Sequence, residues 1–170
     1  ERGIAADVDF LMRDGGFERP AFETIVASGP NAALPHARPS ERMLGEGDLV
    51  VLDFGGVYDS YCVDLTRTVA VGSAPPRARE VYDAVRAAQR QAIAAVTPGI
   101  SRFGIDAAAR AALQAAGMGE AFGHGTGHGL GLDIHEDPRI VQLRPGVDTR
   151  DEAIAVNMVF TVEPGAYFPG

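Results

Sequence analysis

An α+β fold is what this sequence predicts, on three observations. Two apolar β-type runs, 48–54 and 61–71, are joined by turn residues and read as an antiparallel hairpin. Two segments, 75–96 and 101–116, carry apolar residues at helical spacing with stop signals behind them. The glycines concentrate near position 55 and at 123–131, as around a site built on turns.

The elements follow in order. Ile4, Val8 and Leu11 give residues 1–13 a helical stripe, stopped by Gly15-Gly16. Residues 22–27 alternate and run into Ser28-Gly29-Pro30, a strand and then a turn. Pro35 and Pro39 make 31–42 a loop. Gly55-Gly56 and Tyr58-Asp59-Ser60 supply the hairpin's turn chemistry. Pro75-Pro76 opens the first long helix, whose stripe is Val81, Val85, Ala88, Ala92 and Val96; Thr97-Pro98-Gly99 ends it. The next helix uses Ile105, Ala108, Ala109, Ala112 and Leu113 and stops at Gly117. Glycine-rich extended chain, a loop over 137–150 and a strand over 158–163 complete the reading, with no repeat or linker, so 1–170 reads as one domain. The closing run 164–170 is apolar and turn-rich directly after a strand, so further strands are expected beyond it.

Composition excludes several functions. At 46% apolar, 22% charged and net charge −8 the chain is an ordinary globular sequence. All 15 cations are arginine, which removes lysine Schiff bases, pyridoxal chemistry and the P-loop lysine. The acidic balance, with no basic block, argues against nucleic acid as a partner. The single cysteine, Cys62, allows neither an internal disulfide nor a thiolate metal cluster. Apolar runs such as Leu49-Val50-Val51-Leu52 are too short to span a bilayer. No basic, apolar-cored leader opens the chain, so no membrane role and a cytoplasmic location are expected.

Three groups of residues could carry chemistry. Asp53 lies inside an apolar strand, where an unpaired carboxylate is costly to bury. A hairpin turning on Tyr58-Asp59 sets Asp53 directly opposite Asp64, with Cβ atoms roughly 5 Å apart. Two facing carboxylates persist by sharing a proton or holding a cation. Read alone, Asp64 equally fits a surface turn. In Gly123-His124-Gly125-Thr126-Gly127-His128-Gly129-Leu130-Gly131, five glycines in nine positions forbid a metal-binding helix. An extended strand there puts His124 and His128 on one face, and His135 follows in Ile134-His135-Glu136-Asp137-Pro138. Glu163 ends an apolar strand just before Pro164-Gly165; alone, it equally fits an exposed strand end. His36, beside a proline-bracketed loop, is ordinarily a solvated histidine. Together, aspartate, glutamate and histidine without thiolate suit Mn²⁺, Co²⁺, Fe²⁺ or Zn²⁺ in a two-metal hydrolytic site better than a closed structural zinc.

The motifs Asp53-Phe54-Gly55-Gly56, Tyr61, Asp64-Leu65-Thr66-Arg67-Thr68, His124-Gly125-Thr126-Gly127-His128-Gly129, His135-Glu136-Asp137-Pro138 and Thr161-Val162-Glu163-Pro164-Gly165 resemble those of the Xaa-Pro peptidases. These are the Xaa-Pro aminopeptidases and prolidases of the methionine-aminopeptidase-like pita-bread superfamily. The likeness runs in order over essentially the whole chain. It implies an antiparallel sheet with helices outside it and two divalent ions, Mn²⁺ first, with Co²⁺, Zn²⁺ or Fe²⁺ as alternatives. By the resemblance Asp53 chelates one ion, Asp64 bridges both, and His128 and Glu163 bind the other. Glu163 also shuttles the proton of a metal-activated water, and His135 stabilises the tetrahedral intermediate or protonates the leaving nitrogen. His124 and His36 contact the substrate, a peptide with proline in second position, and a homodimer is consistent with the family. A fifth ligand, a bridging glutamate, is implied beyond the Glu-Pro-Gly segment. A first helix and, in many members, another domain are implied ahead of residue 1. Residues 1–170 are therefore expected to be an incomplete catalytic domain, truncated at both ends and inactive alone. The competing readings are a metal-free binding module on the same fold, a methionine-aminopeptidase-like enzyme and a creatinase-like hydrolase. Paired aspartates count against the metal-free ones, because without cations they only repel.

Overall fold

The computed structural model describes residues 1–147 and 150–169, and these group into two compact units. The mixture of helices and antiparallel strands is the α+β class that the sequence predicts.

The first unit comprises Glu1–Arg79, Gly131–Ile134 and the segment from Tyr167. Helix α1 (Arg2–Asp14) ends at Gly15, and Gly16 follows at φ +98°, the left-handed turn that glycine tolerates. Its buried face is Ala5 and Met12, and Leu11, expected on that face, is exposed. Ile4 and Ala5 pack with Val26, Val50, Leu44 and Leu52. Strands β1 (Arg19–Pro20) and β2 (Ile25–Ser28) come next, so the strand expected from residue 22 starts three residues later. The loop expected at 31–42 begins inside a 3-10 turn, Gly29–Ala33.

The hairpin forms, divided between two sheets. β3 (Leu49–Phe54) lies between β2 and β6 (Leu65–Ala70), while β4 (Gly56–Tyr58) lies between β1 and β5 (Tyr61–Cys62). The changeover falls at Gly55, where a Cβ would stand 1.9 Å from the Val63 carbonyl oxygen, so only glycine fits. The turn is Asp59-Ser60, both at positive φ (48° and 71°), with Tyr58 opposite Tyr61.

A polar cluster ties the loops of this unit together. The Glu1 carboxylate, 6% exposed, accepts hydrogen bonds from Ser28, Asn31 and Ser40. Burial opposes its charge, but the hydrogen bonds from Ser40, Asn31 and Ser28 outweigh it and lower its pKa from 4.5 to about 2. Beside it Arg42 makes a two-pronged ion pair with Asp48 (2.5 and 3.0 Å), which lowers the pKa of Asp48.

The second unit comprises Glu80–Leu130 and His135–Ala166. Helices α2 (Pro76–Ala95) and α3 (Arg102–Ala115) bury the stripes the sequence predicts: Ala88, Ala92, Ile105, Ala109 and Leu113 are 0% exposed. With Met118, Phe122, Ile140 and Ile154 they form one core. Ser101 caps α3 by accepting the Phe103 N–H. Strand β7 (Gly127–Gly129) pairs antiparallel with β8 (Glu136–Ile140), with a register shift between His128 and Gly129. β8 occupies part of the expected 137–150 loop; of the remainder, 148–149 lie outside the described residues. The expected strand over 158–163 is reduced to one bridge, Gly129 with Phe160. The run is still bonded along β7, through Leu130 N to Val159 O, Thr161 N to His128 O and Glu163 N to Thr126 O. No helix among the described residues is long and apolar enough to cross a membrane.

Candidate metal centre

Each unit contributes candidate ligands. In the first, Asp53 is half-buried near the end of β3 and accepts a hydrogen bond from Thr66 Oγ1 at 3.1 Å. Thr66, not Asp64, is its cross-strand partner. The facing pair expected from a turn on Tyr58-Asp59 is therefore corrected, because the turn sits one residue later and the ladder slips by two. A two-residue slip preserves the parity of the pleat, leaving Asp53 and Asp64 as diagonal neighbours, about 7–8 Å apart in a regular ladder. Asp64 is half-buried in the break between β5 and β6, where the ladder changes sheet.

In the second unit the glycine-rich segment presents its histidines by one repeated device. His128 Nδ1 lies 2.9 Å from the carbonyl oxygen of Gly129, and His124 Nδ1 lies 2.7 Å from that of Gly125. A carbonyl only accepts, so each Nδ1 carries a proton, and in the neutral ring Nε2 is then the nitrogen with the lone pair. His128 Nε2 stands 3.3 Å from Glu163 Oε1. A lone pair facing a carboxylate is repulsive until a proton or a cation enters, so the contact suits an imidazolium–carboxylate ion pair as well as a shared cation. The His135 ring packs edge-on against His128, with centroids 4.4 Å apart, and is exposed. His128 is 9% exposed.

The glycines let backbones close around these side chains. A Cβ at Gly127 would lie 2.0 Å from the Thr161 carbonyl oxygen, and one at Gly129 would lie 2.3 Å from that of Asp137. Thr161 Oγ1 accepts the His128 N–H at 3.0 Å and donates to Glu163 Oε1 at 2.7 Å. Sequence reasoning passed over Thr161 as a site residue. The signal was its position two residues before Glu163, on the same face of an extended run.

Thus His128, His135 and Glu163 come together within one unit. The extended strand expected to set His124 and His128 on one face is corrected, because it covers only Gly127–Gly129 and the glycine-spaced chain bends at 124 and 126, leaving His124 outside it. Asp53 and Asp64 share the hairpin of the other. His36 is exposed and lines an open hollow of about 230 Å³ with Phe22, Glu23, Ile25, Ala37, Arg38 and Pro39.

One unit carries two aspartates on an antiparallel hairpin, and the other carries a glycine-spaced histidine segment bonded to a Glu-Pro-Gly strand end; each offers hard or borderline donor groups. The model of metallopeptidase family M24 matches residues 1–170, and the chain belongs to that family. It is 45% identical over 170 residues to an Xaa-Pro dipeptidase of Pyrococcus furiosus, covering 99% of this chain and 47% of the relative. Among solved structures, the prolidase of Pyrococcus horikoshii OT3 superposes with a TM-score of 0.93 at 43% identity, over 99% of this chain and 47% of that one. The X-Pro aminopeptidase of Thermotoga maritima does so with 0.93 at 42%, over 100% and 47%. The fold is accordingly the pita-bread fold of the prolidases, and the chain spans about half the length of the relatives it matches.

Proposed function

We propose that this chain provides metal ligands and acid–base groups of an Xaa-Pro exopeptidase, which hydrolyses the bond before a proline in second position. Asp53 would hold one divalent ion, Asp64 both, and His128 with Glu163 the other, with Mn²⁺ the leading candidate. The donors fit: they are hard or borderline oxygens and imidazole without thiolate, and three carboxylates roughly balance two divalent ions and a hydroxide. When bound, such ions supply Lewis acidity and make water acidic enough to act as a nucleophile near neutral pH.

The chain's own groups do the rest. Glu163, steadied by Thr161, accepts the proton that the attacking water releases. His135 stabilises charge on the tetrahedral intermediate or passes a proton to the leaving nitrogen, held edge-on against His128. His124 and His36 contact the peptide. The single observation carrying this reading is the approach of His128 Nε2 to Glu163 Oε1 at 3.3 Å with the Nδ1 proton committed elsewhere.

The test is performed on the protein at the full length of its relatives, with added Mn²⁺. Hydrolysis of an Xaa-Pro dipeptide or Xaa-Pro-Xaa tripeptide, with Mn²⁺ uptake in calorimetry, is expected. No turnover, and no thermal shift with any divalent ion, would overturn the reading in favour of a binding module.

A further inference from the structure

Asp106 is 0% exposed on the face of α3 that also buries Ala109 and Leu113. Its partner Arg110 stands one turn later, with Nε 2.6 Å from Asp106 Oδ2. An i, i+4 ion pair forms readily on a helix surface, where it needs no desolvation. Placing one in a core is costly unless the remaining donors and acceptors are all used. Here they are used on a single target. Asp106 Oδ1 accepts the N–H of Thr126 at 3.1 Å and its hydroxyl at 2.9 Å. Arg110 Nη1 donates to the Phe122 carbonyl at 3.0 Å, and Nη2 donates to that of His124. The guanidinium also lies over the Phe122 ring, 4.2 Å from its centroid.

The two side chains thus grip the backbone at 122, 124 and 126, alternate residues of the stretch that bends at 124 and 126 before entering β7. Gly123, Gly125 and Gly127 alternate with those positions. Glycine carries the largest backbone entropy, so this run is the least able to hold its own shape. A Cβ at Gly123 would meet nothing within 4 Å, so packing does not hold that residue either. His128 is the next residue of the same alternation beyond the gripped stretch.

We infer that Asp106 and Arg110 are positioning residues, an ion-pair clamp on α3 that sets the register and orientation of the segment bearing His124 and His128. The inference deepens the proposed function, because it assigns these residues to the alignment of the His128–Glu163 ligand pair.

The test compares wild type, Arg110→Lys and Arg110→Met in the protein at the full length of its relatives. Lysine keeps a charge beside Asp106 but lacks the fork that reaches two carbonyls, so it separates alignment from bulk stability. Two measurements are made: amide exchange at Thr126 and His128 without metal, and Mn²⁺ affinity by calorimetry. In Arg110→Lys, exchange at these amides is expected to accelerate at least about 10-fold relative to the core amide of Leu113. Mn²⁺ affinity is expected to fall about 10–100-fold, with little change in Tm. If Arg110→Met does not fold, the lysine variant carries the test alone. Unchanged exchange, or faster exchange with wild-type Mn²⁺ affinity, overturns the inference. A wild type that takes up no Mn²⁺ overturns the proposed function, and faster exchange in the lysine variant then still supports the clamp.

Discussion

Thr161 and His128 are tied to each other twice: the Thr161 N–H donates to the His128 carbonyl at 2.8 Å, and the His128 N–H donates to Thr161 Oγ1 at 3.0 Å. The same hydroxyl donates to Glu163, so one small side chain touches both members of the proposed ligand pair. Thr161→Val keeps the shape and deletes the hydroxyl. It should cost about 1–3 kcal/mol by leaving the His128 N–H without its acceptor. It should also weaken Mn²⁺ binding about 10–100-fold. Denaturant unfolding and calorimetry read the two effects separately.

Asp64→Asn keeps the size of the side chain and removes its charge. Metal-dependent turnover of an Xaa-Pro dipeptide should fall at least about 100-fold, with far-ultraviolet circular dichroism unchanged. Full activity in this variant would mean that Asp64 is not a ligand.

Gly127→Ala would set a methyl group 2.0 Å from the Thr161 carbonyl oxygen. The backbones would have to part by about 1 Å, which in a close-packed interior should destabilise by at least about 3 kcal/mol. The same change at Gly123, where nothing lies within 4 Å, should be tolerated. A thermal melt of the two variants side by side checks the contrast.

Leu113 is 0% exposed in the core that α2 and α3 share, so Leu113→Ala should cost about 2–5 kcal/mol. Urea unfolding would show a lower midpoint at an unchanged slope.

Glu1 makes stability depend on acid. Its pKa is lowered from 4.5 to about 2 on folding, so the unfolded state binds the proton more readily. The stabilisation is fully present above pH 4.5 and is lost as pH falls from there to about 2. Asp48, lowered by Arg42, acts in the same direction. Glu1→Gln should unfold at lower denaturant near pH 6 and show a flatter decline below pH 4.5, as equilibrium unfolding across that range would measure.

How much of the fold is legible in the sequence depends on which interactions are local. The stripes of α2 and α3 are readable because helix periodicity and burial coincide, from Ala88 to Leu113. The hairpin is readable, but its register is not. Tyr58-Asp59-Ser60-Tyr61 allows either neighbouring pair at the turn, and the structure places both Asp59 and Ser60 at positive φ. Residues 136–140 are disguised by Pro138, which reads as a strand breaker yet sits beside the register shift at His128/Gly129, where a missing N–H is tolerated. The run 158–163 has strand character but forms a single bridge, and beside it the His128 N–H goes to the Thr161 hydroxyl instead of a carbonyl. At the site, carboxylates and imidazoles declare themselves by type. Asp106 and Arg110 do not, since an acid and a base one turn apart usually belong to a solvated helix face.

The bond from each imidazole to the glycine carbonyl beside it closes within two residues. The tautomer at positions 124 and 128 is therefore set next door in sequence, while the place of each ring is set by groups from elsewhere in the chain, Thr161 and His135 for His128 and Phe122 for His124. Which nitrogen faces outward and where it stands are thus answered by different parts of the molecule.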